Sequence, residues 1–422
     1  MTTKGAVSHP TPGWIGRRRI RAHAIILALC LWGVCAIDFA TPGVFDRAGN
    51  IKFQDFLQFP IAANLIAQGR ATELYDDQIL AGQIRAIVGR ETDVRLQYFY
   101  GPQVALPFIA LRRFSFLAQA EIWVALSLLL YFGCIYLLWK SCTGLRCYRV
   151  LVVVCACAYP PLVHYFVRGQ LSPAVLLCFT AACLAFLAGY DWLTGIALGF
   201  LVFKPQFLVA IPLVLVAAQA WKALAGITLS AGAQAAFTVF YFGPAVMRSY
   251  LDRLIHSAGR PGTTELALSP IQMHSLRAFW VLLIPWPRGV WMLYVVSSLA
   301  VVGMAAAIWK SASPRALRFS ALVIAAVLVN PHLYIYDLLA LAPALLLVAD
   351  WALNHEQHHS ARSLQLLLYF AFALPLLGPI SRWTHVQLSV PVFVALLWTV
   401  WRIAPASATV GHELAPRESS VV

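Results

Sequence analysis

The sequence predicts an all-α, polytopic integral membrane protein. Three observations carry this. The chain of 422 residues is 61% hydrophobic and only 11% charged, where a soluble domain carries about 25% charged residues. Its apolar runs recur at the length of about 20 residues that one helix needs to cross a bilayer. The runs are also unbroken rather than alternating, which excludes the strands of a barrel and leaves helices to pair every backbone group in lipid.

Residues 1–22 read as a basic cytoplasmic tail, because Arg17-Arg18-Arg19 and Arg21 stand directly before the first span at about 23–40. Positive charge at that place holds the N-terminus inside. The segment Ile37–Pro42 makes a poor cleavage site, so the first span is expected to be an uncleaved anchor. A long first external loop, 41–116, follows. Within it, Phe56, Phe59, Ile61, Ala62, Leu65 and Ile66 recur at helical spacing, which predicts an amphipathic helix over 56–68 lying on the membrane. Residues 102–111 are apolar but too short to span and read as a re-entrant or interfacial piece before Arg112-Arg113.

Further spans are expected at about 117–139, 150–166, 171–189, 193–203, 205–220 and 223–243, then a second external loop, 244–289. Spans at 290–309, 318–330, 333–349, 364–380 and 385–402 complete a set of ten to thirteen, followed by a disordered cytoplasmic tail, 404–422. Residues 23–403 thus make a single transmembrane domain with both termini inside. Lys140, Arg146, Arg149, Lys222, Lys310, Arg315 and Arg318 fall in its short inside loops, as the charge rule for short loops demands. The same rule accounts for the net charge of +14, which in a soluble chain would raise the question of nucleic acid and here does not. The nine cysteines lie in apolar runs or inside loops, so no structural disulfide is expected. No internal repeat is visible.

Polar residues that interrupt this pattern are the functional candidates. Asp55 opens the predicted amphipathic helix, where a carboxylate can act as a general base or simply cap the helix. Asp38, Asp46, Asp76 and Asp77 are rivals in the same loop. Lys204 stands inside an apolar region, where a charge costs at least ~2.5 kcal/mol, so an anion is expected to need it. His164, Arg168, Gln170 and Ser172 break two apolar runs, and Arg168 and Gln170 suit a phosphate or sugar hydroxyls. Asn330, Pro331, His332, Tyr334 and Asp337 break two others, with His332 able to touch a phosphate. His355, His358 and His359 sit in a solvated inside loop and give no metal spacing, and no glycine-rich nucleotide loop appears. No metal and no cofactor is expected.

Taken in order, these pieces resemble glycosyltransferase family 87. The resemblance rests on Asp55-Phe56 with Gly69 and Tyr75, Tyr100-Gly101-Pro102, Gly169-Gln170 with Pro173, Gly195 and Gly199 before Lys204-Pro205, and Asn330-Pro331-His332, spread over residues 35–350. Where the family usually shows two prolines, this chain has Gly101-Pro102. The resemblance implies a GT-C-like fold and inverting transfer of a hexose, often mannose, from a polyprenyl-phosphate donor to a lipid or glycan acceptor on the outer face of the cell's inner membrane. It places the essential acid at Asp55 and implies that Lys204, His332, Gln170, Arg168, Tyr100 and Tyr75 bind substrate. The competing expectation is a transporter or lipid flippase of envelope components, which a lysine at membrane depth also fits.

Overall fold

A computed structural model describes residues 16–89, 94, 96–259 and 270–413, with the side chains of 257–259 and 405–413 excepted. Helices dominate. Among the described residues the only extended pairings are two isolated bridges, Phe45 with Ile51 and Met273 with Tyr334. The helices in chain order are α1 (Arg17–Phe39), α2 (Gln58–Ala67), α3 (Asp77–Val88), α4 (Leu106–Ile109), α5 (Phe116–Ser141), α6 (Arg149–Ala158) and α7 (Pro160–Arg168). There follow α8 (Ser172–Leu187), α9 (Asp191–Gly199), α10 (Ala210–Ala217), α11 (Trp221–Phe242) and α12 (Pro244–Gly259). The last seven are α13 (Leu276–Leu283), α14 (Pro287–Lys310), α15 (Arg315–Val329), α16 (Ala342–Asn354), α17 (Ala361–Ala373), α18 (Ser381–Thr384) and α19 (Ser389–Glu413).

Every expected span is helical, but they are not equally long. Six are long and apolar enough to cross a membrane: α1, α5, α11, α14, Ile335–Asn354 and Ala361–Thr384. A seventh counts if α6 and α7 are one span bent by 44°, the break falling at Tyr159-Pro160-Pro161, where proline removes a backbone donor. Others stop short: Ser172–Leu187, Asp191–Phe203, Pro205–Ala217 and α15, buried almost throughout from Leu317 to Val329. Two boundaries also move. Helix α1 begins at Arg17, so its arginines form its first turn rather than a tail, and α19 runs on to Glu413, past the expected boundary at 404.

The short helices share one end with the long ones. Arg17 at the head of α1 pairs with Glu356 beyond α16; the loop after α5 donates two backbone N–H groups to Asp350 of α16; Arg315 at the head of α15 donates to Phe186 O near the end of α8. We call this the basic end. At the opposite end the short helices fall behind. Trp123, seven residues into α5, donates to Gln170 O, and Tyr294, seven residues into α14, donates to Val329 O. At 1.5 Å per residue both markers lie about 10 Å below the outer ends of the long helices. The level they mark is a floor, formed where α8 begins, α15 ends and the chain turns at Lys204 between α9 and α10. Helix α9 rises to that turn, and α10 descends to the start of α11. An added Cβ at Gly195 would lie 2.0 Å from Ala223 O, so only glycine lets α9 and α11 run this close.

Above the floor sits the first loop, with a core of its own built on Phe56, Leu57, Phe59, Leu65, Leu74 and Phe108. Here the expectation for 56–68 is corrected. Helix α2 does not lie on the membrane: Gln58 through Ala63 are all buried. Its second face is covered by the turn Pro102–Ala105 and by α4, with Phe59 stacked on Phe108 at 5.0 Å. The amphipathic helix of the loop is α3, buried at Leu80, Ile84 and Val88 only. The eight residues Pro102–Ile109 form two short turns, a fraction of the ~30 Å hydrocarbon core, so this segment does not cross. The second loop clamps the first: Arg253 of α12 donates to Tyr75 O and, at 2.7 Å, to Asp77 Oδ1.

Candidate active site

Asp55 lies on a single turn of 3-10 helix, Gln54–Leu57, that hangs over the floor. The turn is entered through Phe53 at φ 53°, a left-handed conformation that costs an aromatic residue energy and survives only where packing enforces it. Phe53 is wedged edge-on against Phe39 and Phe166, and Phe56 and Leu57 are fully buried. Gly169, at φ 72°, approaches from below. A Cβ there would stand 2.8 Å from Phe56 Cβ, so only glycine allows the chain after α7 to touch the turn.

That contact delivers the next two side chains. Gln170 Nε2 donates to Asp55 Oδ2 at 3.1 Å, and Arg168 Nη1 stands 3.6 Å from Asp55 Oδ1. Tyr100 Oη donates to Gln170 Oε1 at 2.8 Å, which fixes the amide with its nitrogen toward the carboxylate. Tyr75 Oη donates to Tyr100 O at 2.9 Å. Burial, then the neighbouring Tyr98, pushes the Tyr75 phenol well up, so it works as a neutral donor. The Asp55 side chain is 16% exposed and makes no helix-capping bond. The rival acids hold their own surroundings. Asp46 binds Asn50 within its turn, Asp76 caps α3, and Asp77 pairs with Arg253. Asp38 closes α1, where its carbonyl accepts from Arg47 N.

Lys204 corrects an expectation. It does not stand free for an anion: Nζ lies 2.6 Å from Asp337 Oδ1, both side chains are 3% exposed, and Ser172 Oγ donates to the same oxygen at 2.9 Å. Asp337 and Ser172 are site residues to which the sequence reading gave no role. The signal for Asp337 was nonetheless present. A buried cation demands an anion, and Asp337 is an acid inside an apolar run. Lysine keeps two further N–H donors, and its Nζ sits 5.6 Å above the Tyr336 ring. Tyr336 joins the two halves of the site, within electrostatic reach of Asp337 on one side and of Asp55 and Tyr100 on the other. A ladder of rings leads outward from it, Tyr336 to Tyr334 at 5.4 Å and Tyr334 to His332 at 5.1 Å. His332 is therefore two rings from Lys204, at the rim rather than the centre.

The arrangement is a polar cluster at the floor, about 10 Å below the helix ends. One half is Asp55, Arg168, Gln170, Tyr100 and Tyr75. The other is Lys204, Asp337 and Ser172. Among the described residues no group of three His, Cys, Asp or Glu side chains could hold a metal ion.

The sequence model of glycosyltransferase family 87 matches residues 98–331. The chain belongs to that family. It is a membrane glycosyltransferase, which decides against the transporter expectation, and it acts on a sugar donor and an acceptor in a membrane setting. Comparison with curated proteins and with solved structures returns no match. The family match takes in Tyr100, Arg168, Gln170, Ser172 and Lys204, and leaves Asp55, Tyr75, His332 and Asp337 outside its bounds. The site therefore combines the family region with residues on either side of it.

Proposed function

We propose that this glycosyltransferase moves a hexose, mannose in the first instance, from a polyprenyl-phosphate donor to a lipid or glycan acceptor, with inversion at the anomeric carbon. The observation that carries the reading is a partly exposed carboxylate held by Arg168 and Gln170 at the level where the short helices end. Asp55 accepts the proton of the acceptor hydroxyl as its oxygen bonds to the anomeric carbon. The bond from that carbon to the phosphate oxygen breaks, and its electron pair leaves with the polyprenyl phosphate. Arg168, 32% exposed and without an ideal bond to Asp55, is the cation open to the departing phosphate. Lys204, its charge already balanced by Asp337, adds donors from below. A donor that brings its own phosphate leaving group needs no nucleotide site.

The basic end carries Arg17, Arg18, Arg19, Arg21, Arg146, Arg315 and Arg362, and by the charge rule we place it in the cytoplasm, with both termini there. The Asp55 site then faces the outer side of the inner membrane. The test is transfer of label from radiolabelled polyprenyl-phosphate mannose in membranes holding wild type or Asp55→Asn at equal expression. Transfer by wild type alone supports donor and base together. Transfer by both discards Asp55 as base, and transfer by neither discards the mannosyl donor.

A further inference from the structure

A cavity of about 590 Å³ opens at the basic end between α1, α5, α6, α16 and α17. Its mouth lies far from the proposed base: Arg17 stands there, whereas Phe39, beside the Asp55 loop, is the last residue of the same helix, about 33 Å away. Its deep wall includes Tyr159, whose Oη donates to Leu338 O, next to Asp337. Its size falls in the ~300–1,000 Å³ range of pockets that enclose a small ligand.

Its walls are graded along the membrane normal. Leu27, Ile135, Leu346, Leu368 and Phe372 line the deep part. The charged lining residues are helix-end residues at the mouth: Arg17 opens α1, Glu356 follows α16, and Arg362 is the second residue of α17, with Gln365 one turn further in. Leu27 and Phe372 each lie ten residues beyond an arginine of the mouth, so the apolar part is about 15 Å deep. Between mouth and depth, His23 Nδ1 meets Tyr369 Oη at 3.1 Å, tying α1 to α17. The opposite face of α1 exposes Ile25, Ile26 and Leu29, as a helix facing lipid does.

Charge selects the occupant. Two guanidiniums at the mouth face one carboxylate, Glu356, which is half-exposed and already 3.4 Å from Arg17. Arg362 forms no ion pair among the described residues. An apolar shaft under an unbalanced pair of arginines matches a phosphate head group with a hydrocarbon chain beneath it. We propose that this cavity binds an anionic phospholipid of the leaflet at the basic end, its phosphate on Arg17 and Arg362 and one acyl chain between α1 and α17.

Native mass spectrometry of the full-length protein in mild detergent tests this with two probes of identical chains, phosphatidylglycerol and phosphatidylethanolamine. Wild type is expected to retain phosphatidylglycerol preferentially. Arg17→Ala with Arg362→Ala should weaken that retention about 30-fold, the scale of two surface arginines against anionic lipid. Arg362→Lys should keep most of it, and Ala349→Trp, which fills the shaft, should abolish it. Equal retention of both lipids by wild type overturns the proposal without any variant having to fold. So does retention that survives both the charge removal and the filled shaft. Displacement of phosphatidylglycerol by equimolar polyprenyl phosphate would reassign the cavity to the donor.

Discussion

Two carboxylate–cation pairs stand on either side of Tyr336 and are built in opposite ways. Asp337 and Lys204 are almost wholly buried at 2.6 Å, and Ser172 donates to the shared oxygen. Asp55 and Arg168 are partly open at 3.6 Å, and Gln170 takes the second oxygen of the carboxylate. The buried pair has its charges matched inside the protein, though the ammonium keeps two further N–H donors. The open pair is held in place yet unsaturated, the condition that the proposed reaction requires of a base and a phosphate-binding cation. Depth alone therefore does not mark the proposed base: the more deeply buried acid is already paired, and the proposal assigns the proton transfer to the more open one.

The sharpest way to break this contrast is to neutralise each acid in turn. Asp55→Asn is expected to lower sugar transfer by about 10²–10⁴-fold, the range for losing a general base, with the thermal unfolding midpoint of the detergent-solubilised protein unchanged. Asp337→Asn should instead unfold the protein at markedly lower temperature. Leaving Lys204 buried and unpaired costs about 3–5 kcal/mol, whereas replacing both partners with apolar residues is often neutral. The double variant Lys204→Met/Asp337→Leu should accordingly recover most of the midpoint that either single variant loses. A double variant no more stable than the singles would show that the pair is not the unit described here.

How far these pairs could be read from sequence differs for the same physical reason. Lys204 announces itself, because a charge in an apolar run is costly wherever it points. Its partner lies 133 residues on, and periodicity gives no distance between elements, so Asp337 was legible as an odd residue but not as that lysine's counter-ion. The long spans were legible to within about six residues at each end, because length and apolarity set them. The floor was not: that α8, α9 and α15 stop about 10 Å short became visible only against the full-length α5 and α14. Helix α2 shows the limit of an amphipathic pattern, which reveals one apolar face but not that Pro102–Ile109 covers the other. Arg168, Gln170 and Asp55 were each singled out, and what joined them was the approach of Gly169 to Phe56.

That approach gives a smaller test. Gly169→Ala must carry a Cβ at φ 72° and 2.8 Å from Phe56 Cβ. Left-handed strain of this kind costs about 1–3 kcal/mol. Relief requires the turn bearing Asp55 to shift, so both the unfolding midpoint and the transfer rate should fall. Gly82→Ala, inside α3 where an added Cβ meets nothing within 4 Å, is the control: it should leave the transfer rate unchanged and hold or raise the midpoint, since alanine favours a helix interior by up to about 1 kcal/mol over glycine.

The smallest effect at neutral pH comes from a group that belongs to neither pair. His274 is fully buried, with Nδ1 2.7 Å from Ser389 Oγ and Nε2 without a hydrogen-bond partner among the described residues. Burial, reinforced by the nearby His164, pushes it down to about 3. A folded-state value below the unfolded one, about 6.5, means that the unfolded chain takes up the proton first. The neutral ring therefore contributes its full stability above pH 6.5, and that contribution is lost progressively as the pH falls from 6.5 toward 3. At pH 7.5 the expected cost is nil. At pH 5 it is about 2 kcal/mol, at 1.36 kcal/mol for each unit below the unfolded value. His274→Asn keeps a polar atom near Ser389 but does not titrate, so its unfolding midpoint should decline less between pH 7 and 5 than that of wild type. Parallel declines in the two proteins would place the acid sensitivity elsewhere.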